Sequence, residues 1–174
     1  EQRTQIHASR ECLQIIQIKI KESQEMASKI PSIKTWLDTN FTNDRRMKEI
    51  RSQLEEIPHY LELQKKLEAD TFMRIQYMNV QNASSQIFFW KKGMDAADKS
   101  FLERVEKSFE ANYLANRHAK ESVIEFHDII KRLVEDASFF DKIIQETQKK
   151  DETQDNPTLR HIANLTVEAA ENTK

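Results

Sequence analysis

The chain has little that interrupts a helix. Its 174 residues include one glycine and three prolines. Sheets and dinucleotide-binding folds need many tight turns, and phosphate loops need clustered glycines, so the sequence leaves little room for either. One cysteine, Cys12, permits no internal disulfide and no cysteine metal cluster. No apolar run approaches the roughly 18 residues a membrane span needs, and no signal-peptide pattern is visible. Charge of one sign is also missing. Charged residues make up 32% of the chain, yet the net charge is only −2 and the signs are interspersed. That is a solvated helical surface with no basic stripe for nucleic acid.

What remains is apolar periodicity. From Leu102 the steps alternate three and four through Val105, Phe109, Asn112, Asn116, Ala119, Val123, Phe126, Ile130, Leu133, Ala137, Phe140 and Ile144. Such alternation marks a helix packed lengthwise on other helices. Asn112 and Asn116, one turn apart, are its only polar positions. An earlier seam runs Ile6, Ser9, Leu13, Ile16, Ile20, Ser23, Ala27, Ile30. Pro31 is expected to stop it, because a helix usually ends before the residue preceding proline. A second helix follows, capped near Thr42 or Asn43. Its stretches are Met47, Ile50, Leu54, Ile57, Leu61, then Tyr60, Leu63, Leu67, and finally Met73, Gln76, Val80, Ala83, Ile87, Trp90. Pro58 should bend it.

Gly93 marks the one strong turn, with Asp95 as the next cap and Asp98 in the first turn. Asn156-Pro157 is a cap followed by proline at the first helical position, and opens a short last helix. The expected fold is a single all-α domain over 1–174, an antiparallel up-down-up-down four-helix bundle with a long central helical hairpin. Its helices would cover about 3–30, 43–92, 95–148 and 156–173, with a connector at 31–42. Both ends read as cut through helices.

A hairpin about Gly93 pairs residues whose numbers sum to about 189. Asn116 then faces Met73 and Arg74, and Asn112 faces Tyr77. Asp70, Arg74 and Tyr77 share one face of the second helix. Arg74, Tyr77, Asn112 and Asn116 are therefore the candidate lining of a mid-bundle pocket for a small polar or anionic ligand. Arginine offers a planar fork of donors, and each asparagine offers donor and acceptor. The competing reading is structural. Asparagine in a seam fixes register and partner number, or the helix rotates to turn Tyr113 and Leu114 inward. No acid–base, nucleophile, metal or cofactor constellation appears, so no enzyme is expected. His59, His118, His127 and His161 are scattered, and Cys12 near His7 lacks a third orienting group.

The stretch Phe88-Phe89-Trp90-Lys91-Lys92-Gly93-Met94-Asp95, followed by Phe101-Leu102-Glu103-Arg104-Val105, resembles a motif of the extracytoplasmic helical-bundle sensor modules of bacterial chemoreceptors and sensor histidine kinases. There an apolar pair ends one helix, a short Gly-Asp turn follows, and the next helix opens with a similar run. Met94 separates Gly93 from Asp95 here, a departure from the tight version. The resemblance implies a non-enzymatic, periplasmic sensing domain of a transmembrane receptor. It would be a homodimer, joined to the membrane only through flanking segments. It would signal by helix displacements of about 1–2 Å. The alternative is a cytoplasmic coiled-coil or helical-bundle scaffold that binds partner helices.

Overall fold

The structure, a computed structural model, describes residues 2–41, 44–92 and 96–151. All of them except Phe41 and Asp44 are helical. Helix α1 spans Gln2–Met26, a 3-10 turn covers Ala27–Lys29, and α2 spans Ile30–Asn40. Helix α3 spans Arg45–Lys92, and α4 spans Ala96–Asp151. Asp44 caps α3. Its carboxylate accepts from the Arg46 amide at 2.9 Å, and its carbonyl accepts from the Lys48 amide at 3.0 Å.

The expected four-helix bundle is corrected: the described residues form an all-α bundle of three helices, one of them long and kinked. Residues 31–42 were expected to connect two helices. Instead α1, the 3-10 turn and α2 follow one another without a loop. Pro31 has no N–H for the Ala27 carbonyl. The Ile30 amide bonds that carbonyl instead, which tightens the chain into a 3-10 turn. Pro31 then sits in the first turn of α2, where a missing N–H costs nothing. The apolar stripe carries on past it through buried Ile30, Ile33 and Leu37, and this burial keeps the segment helical. The expected caps Thr42 and Asn43, the turn at Gly93 to Asp95 and the last helix at 156–173 lie outside the described residues.

The chain divides into two compact units. Described residues of the first are 2–24, 60–92 and 96–128. Here α1 and α4 each run antiparallel to α3: Ser9 meets Met78 and Ser23 meets Gln64, while Arg74 meets Asn116 and Gln81 meets Ser108. One part of the core joins Ile6, Met78, Val105 and Phe109, with Phe101 packed on it. Another joins Ile16, Ile20, Ala119 and Val123, with Leu67 beside it. Fully buried side chains such as Phe109 and Ile16 contribute roughly 1.5–3 kcal/mol each.

Described residues of the second unit are 25–41, 44–59 and 129–151. Leu37, Met47, Ile57 and Ile130 are fully buried there. The Trp36 ring meets Phe41 edge-on at 5.5 Å and lies 6.3 Å from Phe140. Ion pairs Lys34–Glu55 at 3.0 Å and Arg51–Asp38 at 2.9 Å run antiparallel along its flank. Exposed pairs of this kind add at most about 1 kcal/mol.

Because Leu37 is a core residue, Leu37→Ala should cost about 2–5 kcal/mol in urea denaturation. Pro31→Ala should leave stability within roughly 1 kcal/mol, since neither its side chain nor an N–H supports the fold. A silent Leu37→Ala would return residues 32–41 to the status of a connector.

Candidate functional site

The 3-4 seam expected for α4 is the one observed. Val105, Phe109, Asn116, Ala119, Val123, Ile130, Ala137 and Phe140 are buried. Helix α3 behaves otherwise within the first unit. Its buried positions there are Gln64, Thr71, Ile75, Met78 and Ser85. The apolar stretch expected to continue its seam faces the other way. Met73 is 65% exposed, Val80 63%, Ile87 55% and Trp90 87%.

The inward face of α3 is held by polar bonds. Arg74 donates from Nε to Oδ1 of fully buried Asn116 at 2.7 Å, and from Nη2 to Thr71 Oγ1 at 3.4 Å. The Asn116 amide lies 3.9 Å from Met78 Sδ, which also accepts from Ser9 at 3.7 Å. Further along, Gln64 donates from one Nε2 to Ser23 Oγ at 3.1 Å and to the Val123 carbonyl at 3.0 Å. Ser23 passes its own proton to the Lys19 carbonyl at 2.8 Å. Gln64 Oε1 has no partner among the described residues. Nearby, buried His127 has Glu22 at 3.0 Å on Nε2 and Asp128 at 3.1 Å on Nδ1. Its ring donates to both carboxylates only when both nitrogens carry protons.

Of the four candidate pocket residues, the structure brings Arg74 and Asn116 together. Asn112 is half-buried one turn earlier on α4. Tyr77 is placed on the outer face, 54% exposed, and its hydroxyl accepts from Gln81 Nε2 at 3.2 Å. The alternative rotation is not adopted, since Leu114 faces solvent while Asn116 is buried. Gln64 and Thr71 were not singled out from sequence. The 3-4 steps Ile57, Leu61, Gln64 carry the signal for Gln64, but Tyr60, Leu63, Leu67 offer a more apolar phase.

One open cleft of about 260 Å³ is lined by Gln81, Phe101, Arg104 and Val105. That falls below the roughly 300 Å³ where small-molecule pockets begin. Among the described residues, no group of His, Cys, Asp and Glu is arranged to hold a metal ion. None of the described helices is long and apolar enough to cross a membrane. Cys12 is buried, and burial pushes its thiol pKa up; Lys120 and Arg117 offset this in part. No protein-family model, curated protein or solved structure matches the chain at a significant level.

The polar bonds of α3 and the burial of Cys12 each make a prediction. Asn116→Leu alone should destabilise by about 1–3 kcal/mol, because the Arg74 guanidinium loses its acceptor. Adding Arg74→Met should recover most of that loss, measured as the coupling in a double-mutant cycle. Additive losses would mean the bond carries no specificity. Cys12 should alkylate with iodoacetamide at least about tenfold more slowly than an exposed cysteine near neutral pH. Because its pKa is raised, the rate should climb only above the ordinary thiol range. A rate equal to that of the unfolded chain would contradict the burial.

Proposed function

We propose that this chain is a helical interaction module, a scaffold or adaptor that receives a partner helix along the outer face of α3. The observation that carries this is the spacing of that face. Met73, Val80 and Ile87 recur every seven residues, and so do Gln76, Ala83 and Trp90. This is the pattern of a helix–helix seam, and here it faces solvent. Within 71–90 the only charged residue is Arg74, whose guanidinium is turned to Asn116 and Thr71. Depletion of charge with enrichment in aromatics and methionine is the composition of an interface core. No catalytic step is assigned to the module.

A second reading is ligand sensing by an extracytoplasmic receptor module, and one observation favours it. Arg74 is half-buried, and among the described residues no carboxylate lies within ion-pair distance of it. An organic acid reaching the layer would meet that fork of donors. The module would then lie outside the membrane of its receptor; the scaffold reading places it in the cytoplasm.

Photo-crosslinkers placed at Val80 and Ile87 in the full protein, in cells that make it, should give discrete adducts. Crosslinkers at exposed Glu110 and Glu125 of α4 should give none. Equal labelling from both faces, or none from α3, would remove the docking reading. Calorimetry with small organic acids tests the second reading, which requires heat with the wild type and its loss in Arg74→Ala.

A further inference from the structure

The outer face of α3 also carries information about its occupant. Helices in a seam choose partners through the residues that flank it. Here the flanks are Phe72, Asn79 and Gln86 on one side, and Tyr77 and Ser84 on the other, all uncharged; the one charge that reaches them among the bonds seen is Arg10 of α1, which donates to Asn79 Oδ1 at 3.3 Å. A partner with charged flanks would leave those charges opposite neutral groups and partly desolvated. In a chain that is 32% charged, this uncharged run is an exception, and the surface that matches it in charge is another copy of itself.

Size supports the same occupant. Met73, Tyr77, Val80, Ile87 and Trp90 are each more than half exposed. Together they offer on the order of 600 Å², taking roughly 200 Å² for a fully exposed large side chain. A standard interface takes about 800 Å² from each partner, so this face with its neutral flanks approaches what a reversible dimer needs.

Side-chain volume selects the direction. Side by side in parallel, Trp90 would meet Trp90 and Ala83 would meet Ala83, making one layer overfull and the other hollow. Run antiparallel, Met73 meets Trp90, Val80 meets Ala83 and Ile87 meets Gln76, pairing large with small. Methionine sulfur against an indole is also a favourable contact. The arrangement closes on itself, since each pairing occurs twice about a central two-fold axis.

We infer that the occupant of this face is a second copy of the same chain, with the two α3 helices antiparallel about an axis near residues 81 and 82. This rests on the reading of the outer face as a docking surface.

Sedimentation equilibrium of the 20.6 kDa chain across the micromolar range should show a concentration-dependent monomer–dimer equilibrium. Val80→Glu with Ile87→Glu should weaken the dimer by at least about a hundredfold, with helical circular dichroism unchanged, because both sites are exposed in the monomer. A spin label at Lys91→Cys on a Cys12→Ala background reads direction. The antiparallel pairing puts the two labels roughly 30 Å apart at 1.5 Å per residue, and a parallel one brings them within about 10 Å. A wild type that stays monomeric, a dimer that survives the double charge, or the short label distance each overturns the inference. A monomeric wild type whose crosslinkers at positions 80 and 87 capture a different protein would remove the second copy and leave the docking reading standing.

Discussion

The rotational setting of α3 in the first unit determines the rest of the site, and buried polar bonds hold that setting. At about 100° per residue, Gln64, Thr71, Ile75, Met78 and Ser85 cluster on one side of the helix, with Met73, Val80 and Ile87 roughly opposite. Both sides are capable of packing. On apolar content alone the outer side has the stronger claim to the core. It stays outside because the inner side is matched by specific partners: Asn116 for Arg74, Ser23 and the Val123 carbonyl for Gln64. Turning the helix over would leave buried Asn116 facing hydrocarbon, at about 1–3 kcal/mol for its unpaired amide. Each inner bond adds only about 1 kcal/mol when made. Its larger effect is to exclude the other rotation.

This also explains which parts of the fold the sequence reveals. The α4 seam is readable because nearly every inward position is apolar, and burial follows directly from periodicity. The meeting of Arg74 and Asn116 is readable too, because the register counted from a hairpin expected about Gly93 places them opposite one another, and the observed pair obeys it. Rotation of α3 is not readable in the same way. Hydrophobic periodicity assumes that the apolar side is the buried side, and α3 within the first unit departs from that assumption with Gln64, Thr71 and Ser85 inside. Tyr77 was expected in the pocket because the hairpin register sets Asn112 opposite it, and it lies on the outer face.

Pro31 is a second place where a local rule gives way to packing. The rule that a helix ends before proline concerns an isolated backbone. Here the lost bond is replaced by the Ile30 to Ala27 bond of a single 3-10 turn. Burial of Ile30, Ile33 and Leu37 then outweighs what the distortion costs, at roughly 1.5–3 kcal/mol for each large side chain. The register of the apolar stripe supports this. Ala27, Ile30, Ile33 and Leu37 keep helical spacing across the proline, whereas a true connector has no reason to preserve phase.

A helix with two packing faces differs in kind from one that is merely amphipathic. Its inner side joins it to its own unit through directional bonds, which fix rotation. Its outer side carries almost no charge, so the contact proposed for it would rest on shape and hydrophobic area and little on electrostatic steering. Gln76, Asn79, Ser84 and Gln86 among the apolar positions keep that side hydrated when free, and their desolvation subtracts from the gain when it is covered. The polar bonds to α1 and α4 hold α3 in place along 64–81 without drawing its apolar side chains inward.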